Sequence, residues 1–296
     1  MFLIIGCGYV GERVADMLHA TAHAVAAVTH SPESAQRLAA DKRYAIHACD
    51  VSDELSVQQL ARQLPDAPLA ILHCASSSRG GAEMYRKVYL DGCRHLLSVF
   101  PGAHLCFTSS TSVYPQIDGS EATEASDATP DRDTSRILRE TEESVLAHGG
   151  SVARLAGIYG PGRSFVLKNF LEGKATIEGN DGEGRCLNQI HREDAAAALA
   201  WLMVRRQAGT FNVVDDSPMT QKECYAGLCR RFHRAMPPVS EPNTQRKRAW
   251  THKRVSNAKL RATGWSPRYE SYFVALDHDP ALVSSILAQA GMLSDA

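Results

Sequence analysis

No stretch of the 296-residue sequence approaches the roughly 18 consecutive apolar residues needed to cross a bilayer, and the opening MFLIIG has no positive flank before its apolar run stops at Gly6. Neither a membrane span nor a secretory leader is expected, and no membrane partner. Charge of one sign is also missing: 32 Lys and Arg stand against 33 Asp and Glu, a formal net charge of -1. That excludes the strong field that gathers nucleic acid or anionic lipid. The basic run QRKRAWTHKR at 245–254 reads as a solvated loop beside a substrate cleft, balanced by acid elsewhere, so no nucleic-acid partner is expected.

The cysteines, Cys7, Cys49, Cys74, Cys93, Cys106, Cys186, Cys224 and Cys229, form no C-x-x-C pair and are too sparse for a disulfide scaffold. Reduced, mostly buried thiols and a cytoplasmic setting are the expectation. The 12 histidines show no ligand spacing, which argues against a metal, and no G-x-S-x-G elbow presents a nucleophilic serine. The expected ligand is a small molecule.

What is present is alternation. From Met1 to about Pro115, β-rich runs (FLII 2–5, AVAAVT 24–29, YAIHA 44–48, LAILHCA 69–75, HLCFTSS 104–110) alternate with stretches of helical apolar spacing. Such βαβ succession predicts an α/β fold, a Rossmann-type doubly wound parallel sheet. After Pro115 the acidic, turn-rich QIDGSEATEASDATPDRDTS reads as an exposed loop before the helix SRILRETEESVLAH. SVARLAG, EDAAAALAWLMV and TFNVVD return to the sheet, whereas 160–190 and 216–296 read as irregular.

Gly6-Cys7-Gly8-Tyr9-Val10-Gly11 reads G-x-G-x-x-G directly after the first strand and opens the first helix. In that context the first glycine permits a tight turn, the second lets backbone approach a pyrophosphate, and the third lets helix and strand pack closely, while the helix N-terminus offers N–H groups and a positive dipole end. A dinucleotide is therefore expected, on a domain of 1–159 plus 191–215, with 160–190 plus 216–296 as a small discontinuous substrate lobe. An NAD-specific site usually has Asp or Glu about 20 residues on, at the end of the second strand, to accept from the ribose 2′-OH. Here that place holds Thr29-His30-Ser31, so His30 and Ser31, with Arg37, are candidates to donate to a 2′-phosphate, and NADP is favoured over NAD. The alternative leaves His30 as a surface residue. Asp50 and Val51 are placed to meet an adenine edge, and Cys74, Ala75 and Ser76 to pass beneath the pyrophosphate. Asp50 or Asp53 can equally be a helix N-cap.

These motifs together resemble the extended short-chain dehydrogenase/reductase superfamily, the NAD-dependent epimerase/dehydratase family, almost end to end. FTSSTSVYP resembles its strand ending in a serine pair before V-Y-G, ARLAGIYGPGR its R-x-x-x-x-Y-G-P-G-R segment, NQIHREDAAAAL its I-H-v-x-D helix start, and KRVSNAKLRATGWSPRY its C-terminal segment. The resemblance implies a Tyr-x-x-x-Lys acid/base pair, yet Ser135 and Arg139 stand at those positions, and none of the nine tyrosines has lysine four residues later. That departure is similar to an atypical, YeeZ-like bacterial subgroup lacking the usual tyrosine.

An unassisted serine hydroxyl is too weak a base for hydride chemistry. Arg139 can hold a ribose or phosphate but relays no proton, or it stands on a solvated helix face beside Glu142 and Glu143. The resemblance makes Ser110 the residue that hydrogen-bonds the substrate oxygen, with Thr108, Ser109, Thr111 and Ser112 as further hydroxyls around it. Tyr114, at a normally structural position, is the other acid/base candidate, and Tyr159 is read as packing near the nicotinamide. By the same resemblance Arg163, Asn169, Arg185, Asn188 and His191 line the substrate site, the arginines suiting an anionic group. His191 and Asp194 can alternatively begin the following helix. The expected function is an NAD(P)-linked oxidoreductase or epimerase-like enzyme on a small polar, sugar-like or phosphorylated substrate, or a non-catalytic sensor or scaffold. A homodimer through the helices around 84–100 and 135–148 is an analogy with relatives.

Overall fold

The computed structural model describes residues 1–77, 80–179, 182–242 and 250–292. Residues 245–249 of the basic run lie outside them. A seven-stranded sheet consists of β1 (Phe2–Ile5), β2 (Val25–Thr29), β3 (Ala45–Ala48), β4 (Ala70–His73), β5 (His104–Ser110), β6 (Ser151–Leu155) and β7 (Gly209–Val213), in the order β7-β6-β5-β4-β1-β2-β3. Phe2 pairs with both Val25 and Ala70, Ala26 with Ala45 and Ala70 with His104, all in parallel. β1, β4 and most of β2 are buried at successive positions, which is why they read as continuous apolar runs. The chain winds outward in opposite directions from β1 and β4, so the topological switch point, where such sheets keep ligands, lies at the carboxyl ends of those two strands.

Helices link the strands: α1 (Gly11–Ala20), α2 (Pro32–Ala39), α3 (Glu54–Gln63), then α4, running from Ala82–Tyr85 through a π-helical stretch Arg86–Asp91 into Gly92–Val99, and later α5 (Asp133–Ala147) and α6 (Arg192–Arg205). Local chemistry sets their starts. Ser31 caps α2 by accepting from the Ser34 N–H, with Pro32 at its first position, and Asp53 caps α3 through Leu55 and Ser56. The π-helical turn has an identifiable partner: His73 Nε2 lies 2.8 Å from the Val88 carbonyl, a side chain competing for one acceptor of the helical ladder.

The chain divides into two compact units. The first comprises Met1–Val113, Ala128–Arg154 and Ala195–Phe211; the second comprises Tyr114–Asp127, Leu155–Asp194 and Asn212–Ala296. The second unit corrects the expectation of irregular chain over 160–190 and 216–296. Its described residues form helices at Phe165–Leu171, Gln221–Phe232, Ala258–Ala262, Tyr272–His278 and Pro280–Gln289. The apolar faces of all but Ala258–Ala262 meet in a core that includes Tyr159, Leu167, Phe170, Leu228, Tyr272 and Ile286. These helices are too short for their periodicity to stand out, and caps start them instead: Ser164, Ser271, Asp279, and a Thr220–Glu223 capping box.

The acidic segment after Pro115 is only partly the exposed loop expected. Glu121–Ala122 pairs in parallel with Arg254–Val255, Ala122 is fully buried, and the Glu124 carboxylate accepts from the Asn212 N–H at 2.7 Å. All eight cysteines are free thiols, six of them buried. Among the described residues no helix is long and apolar enough to cross a membrane.

Candidate functional site

The three motif glycines differ in what surrounds them. Gly6 has φ +94°, and a Cβ there would lie 2.3 Å from the Ala75 backbone nitrogen. At Gly11 a Cβ would meet the Gly6 carbonyl oxygen at 2.3 Å and Cys74 Sγ at 2.7 Å, whereas at Gly8 nothing stands within 4 Å. Two positions are thus closed by the protein itself and one is an open backbone cradle at the start of α1, where the first-turn N–H groups have no intrahelical acceptor. The ends of three strands hold the loop: the Gly6 and Cys7 N–H groups donate to the Val28 carbonyl, the Cys74 N–H donates to Ile5, and the Cys74 thiol donates to the Gly6 carbonyl at 3.1 Å. Burial, with Glu12 adding repulsion, pushes the Cys7 thiol up to about 12, so it is inert at neutral pH. Ala75 is half-buried and Ser76 exposed beside this loop. Tyr9 is half-buried and Val10 buried at the helix start.

At the next strand ends, His30 is exposed and its Nδ1 lies 3.8 Å from Asp50 Oδ1. A carboxylate does therefore stand beside the candidate phosphate donor, contributed by β3 rather than β2. The Ser31 hydroxyl is engaged as the α2 cap, and Arg37 reaches the Ser34 hydroxyl at 3.4 Å. Asp50 is not a helix cap: it accepts from the Ser52 N–H and hydroxyl at 2.9 and 2.7 Å, while Asp53 caps α3. Partial burial works to raise the Asp50 pKa, but the two Ser52 hydrogen bonds, with His30 adding attraction, leave it below the ordinary value. Val51 is buried.

Ser110 is half-buried and its hydroxyl accepts from the Ser112 N–H at 3.2 Å. Thr108 donates to the His73 carbonyl, and Ser109 donates to Glu142 at 2.6 Å. These two hydroxyls are engaged by the protein. Glu142, beside which one alternative for Arg139 set a solvated helix face, is fully buried. Arg154 binds it through Nε at 3.0 Å and Nη2 at 2.7 Å, and Arg139 pairs with its second oxygen while reaching Glu143 at 3.4 Å. Arg139 thus spends its guanidinium on α5 carboxylates rather than presenting a free fork to a ribose or phosphate. Ser135 is buried on the same helix.

Tyr114, the other acid/base candidate, belongs to the second unit. It is fully buried and its hydroxyl donates to Asn212 Oδ1 at 2.8 Å, the bond of a packing residue.

Of the residues expected to contact substrate, Arg163 and Asn169 lie at and within the Phe165–Leu171 helix region, exposed and half-buried respectively. Asn188 donates to the Lys253 carbonyl at 3.0 Å and accepts from the Val255 N–H at 2.8 Å, so its amide is occupied by backbone. His191 has no exposed surface; Nε2 lies 3.0 Å from Asp279 and Nδ1 accepts from the Glu193 N–H. Burial lowers its pKa, with Asp279 opposing. Both ring nitrogens are therefore engaged by the protein. Tyr159 packs edge-on to His191 and Tyr272, and its buried hydroxyl has no hydrogen-bond partner among the described residues. Nearby, burial pushes Asp215 up to about 8 and Asp194 up to about 6. Arg185 is half-buried, and its N–H donates to Gln221 at 3.3 Å.

Sequence reasoning missed Lys253. It is 3% exposed, and its ammonium donates to the Tyr114 carbonyl and the Thr251 hydroxyl, each at 2.9 Å. Burial, reinforced by the charge of Arg185, brings its pKa down to about 7.

Residues 2–213 match the profile of the NAD dependent epimerase/dehydratase family. No curated protein matches the sequence. Among solved structures, the chain is similar to a Methylobacillus flagellatus protein provisionally described as an NAD-dependent epimerase/dehydratase, at 25% identity, covering 96% of this chain and 98% of that one, with a TM-score of 0.74. The fold is shared with a Thermus thermophilus UDP-glucose 4-epimerase in complex with NAD (20% identity, 97% and 99% covered, TM-score 0.76). It is shared as well with a Streptomyces venezuelae dTDP-glucose 4,6-dehydratase double mutant (20%, 98% and 98%, 0.77). The profile spans well over half of the sequence and covers both the glycine loop and the whole sheet: the chain belongs to the NAD dependent epimerase/dehydratase family.

Proposed function

We propose that the chain binds a nicotinamide dinucleotide on the Gly6–Gly11 loop and is an oxidoreductase or epimerase-like enzyme for a small polar, sugar-like or phosphorylated substrate. The observation that carries this reading is the glycine pattern: Gly6 and Gly11 are closed by the protein, while Gly8 leaves backbone open at a helix N-terminus located at the switch point of the sheet. A loop kept only for packing has no need of the open position. Gly8 and the first turn of α1 would receive the pyrophosphate, Val51 and Asp50 would flank the adenine edge, and Cys74–Ser76 would pass beneath. The dinucleotide, when bound, supplies hydride transfer; this chain's residues bind and orient it.

NADP is the favoured form because positions 29–31 hold no carboxylate and His30, Ser31 and Arg37 are donors. Asp50, 3.8 Å from His30, works against a 2′-phosphate unless His30 is protonated. Calorimetric titration with NADPH, NADP, NADH and NAD tests both levels. Tight binding of the phosphorylated pair, lost in Gly8→Asp with the fold retained, is the expected result. Binding of none of the four overturns the cofactor reading, and preference for NADH overturns its finer part.

A second reading, a non-catalytic dinucleotide sensor or scaffold, is favoured by one observation. Ser135 and Arg139 stand where the resemblance implies Tyr and Lys, and Arg139 is bound to the buried Glu142. Cofactor-dependent conformational change without oxidation or reduction of cofactor by any sugar-like substrate would select this reading.

A further inference from the structure

We propose that Lys253 is an anion-binding residue of the second unit, with Arg185 as its cationic neighbour, and that it takes the carboxylate or phosphate oxygen of the protein's small-molecule ligand. The claim rests on the enzyme reading above only in calling that ligand a substrate.

The argument starts from a mismatch between residue and position. Residues 252–256 run as an extended segment whose His252, Arg254 and Ser256 N–H groups donate to Gln116, Ser120 and Ala122. In such a segment alternate side chains share a face. Lys253 and Val255 are the buried pair, at 3% and 2% exposure, while Arg254 is exposed. An apolar residue suits the inward position that Lys253 occupies, and a position where a local rule fails without an evident structural gain is where function is expected.

Among the described residues, nothing that surrounds Lys253 supplies that structural gain. Among the described residues no carboxylate pairs with Lys253; its acceptors are a neutral carbonyl and a neutral hydroxyl, which account for two of the three ammonium protons. The segment facing it on the other side is tied by the Cys186 N–H donating to His252 Nδ1 at 3.0 Å and by both bonds of the Asn188 amide. That side carries Arg185, next to Cys186 in sequence, a second cation whose charge adds to burial in disfavouring the lysine's charge. If the only task were to hold the Tyr114 carbonyl, a neutral donor would do it at lower cost, because burying an uncompensated charge is unfavourable. An oxyanion meets the third proton and relieves the repulsion between the two cations, in the way charge-assisted hydrogen bonds recognise carboxylate and phosphate.

The test uses the full-length protein without cofactor, titrated calorimetrically with inorganic phosphate in one arm and acetate in the other, so the two ligand chemistries are separated. Binding of at least one is expected, weakened roughly tenfold or more in Lys253→Met, the loss of one hydrogen bond to a charged group. Lys259→Met, at an exposed position in the same C-terminal segment, is expected to bind as the parent does. Lys253→Met should fold, since it removes a buried charge, and circular dichroism and a thermal melt verify that. Binding of neither anion by the parent, or equal binding by parent and Lys253→Met, overturns the proposal. Because no dinucleotide is present, failure here leaves the Gly6–Gly11 reading standing, and failure of dinucleotide binding leaves this one standing.

Discussion

Glu142 in the first unit and Lys253 in the second, side chains of opposite charge, are both almost completely buried and are treated differently. Glu142 receives the Ser109 hydroxyl, two nitrogens of Arg154 and the Arg139 guanidinium. Lys253 donates to a carbonyl and a hydroxyl and has a like charge as its neighbour. A buried charge with its full complement of opposite charge and hydrogen bonds is explained by the fold; a buried charge without one is not. The difference teaches that burial alone does not mark a site, and that the presence or absence of compensation does.

The largest effect should come from breaking the compensated member. Glu142→Gln leaves Arg154 buried with its countercharge gone, and removing one partner of a buried ion pair costs about 3–5 kcal/mol. Denaturant unfolding of Glu142→Gln against the parent measures it. Lys253→Met should by contrast unfold at the same or a higher denaturant concentration. If Glu142→Gln loses under about 1 kcal/mol, the level of an exposed pair, or if Lys253→Met is the more damaged of the two, the comparison fails.

The second unit holds another incompletely compensated group in Asp215, which sharpens the contrast through pH. Burial, with Asp216 and Asp194 adding repulsion, pushes its carboxyl up to about 8 against the one Ser217 N–H that favours ionisation. Since the folded pKa exceeds the ordinary value, the unfolded chain gives up its proton first. The group's contribution is fully present below about pH 4 and is lost as pH rises toward 8. Asp215→Asn, which keeps the neutral shape, should therefore gain stability relative to the parent between pH 4 and 8, by up to a few kcal/mol, and the gain should level off above pH 8. Parallel melting curves at the two pH values for parent and variant give the answer, and a flat difference would mean that Asp215 ionises freely in the folded protein.

The same contrast explains what could be read from the sequence. β1, β2 and β4 were legible because strands buried on both faces are continuous apolar runs, and the glycine loop was legible because its spacing and its position between strand and helix are both local. Much of the second unit was not, because its helices of 5 to 12 residues leave no sustained period. Thr220-x-x-Glu223 and Asp279 before Pro280 were start signals open to reading. Glu142 enters the sequence reading only in the alternative that sets Arg139 on a solvated face beside it and Glu143, although its three-residue spacing from Arg139 offered the pair. Its deciding partners, Ser109 and Arg154, are contacts at a distance in sequence. Lys253 had no local signal at all, since only tertiary pairing with 116–122 turns it inward.

Within the glycine loop the comparison takes a steric form. Gly11→Ala would force a Cβ to within 2.3 Å of a backbone carbonyl, whereas Gly8→Ala would meet nothing. The first should destabilise by about 1–3 kcal/mol, the range of an overpacked position. The second should stay within about 0.5 kcal/mol, as surface changes do, while weakening dinucleotide binding. Thermal melts of both variants, read beside their calorimetric titrations, separate a packing glycine from a ligand-facing one. Equal destabilisation by both would remove the distinction on which the cofactor site rests.

The smallest expected change separates a packing tyrosine from an acid/base. Tyr114 is fully buried and donates to Asn212 Oδ1, and the same Asn212 donates through its Nδ2 to the Ser256 carbonyl at 3.0 Å. Tyr114→Phe removes one buried donor and leaves that amide oxygen short of its bond, so unfolding should become easier by about 1–2 kcal/mol. Dinucleotide affinity should be unchanged, because the hydroxyl faces the interior of its own unit. A variant as stable as the parent would mean that the Tyr114 hydroxyl is not spent on Asn212 and would restore it as a candidate for proton transfer. A clear loss of stability with unaltered cofactor affinity would instead leave the family's acid/base without a tyrosine at either position, and would make Lys253 the next group whose replacement should be assayed for turnover.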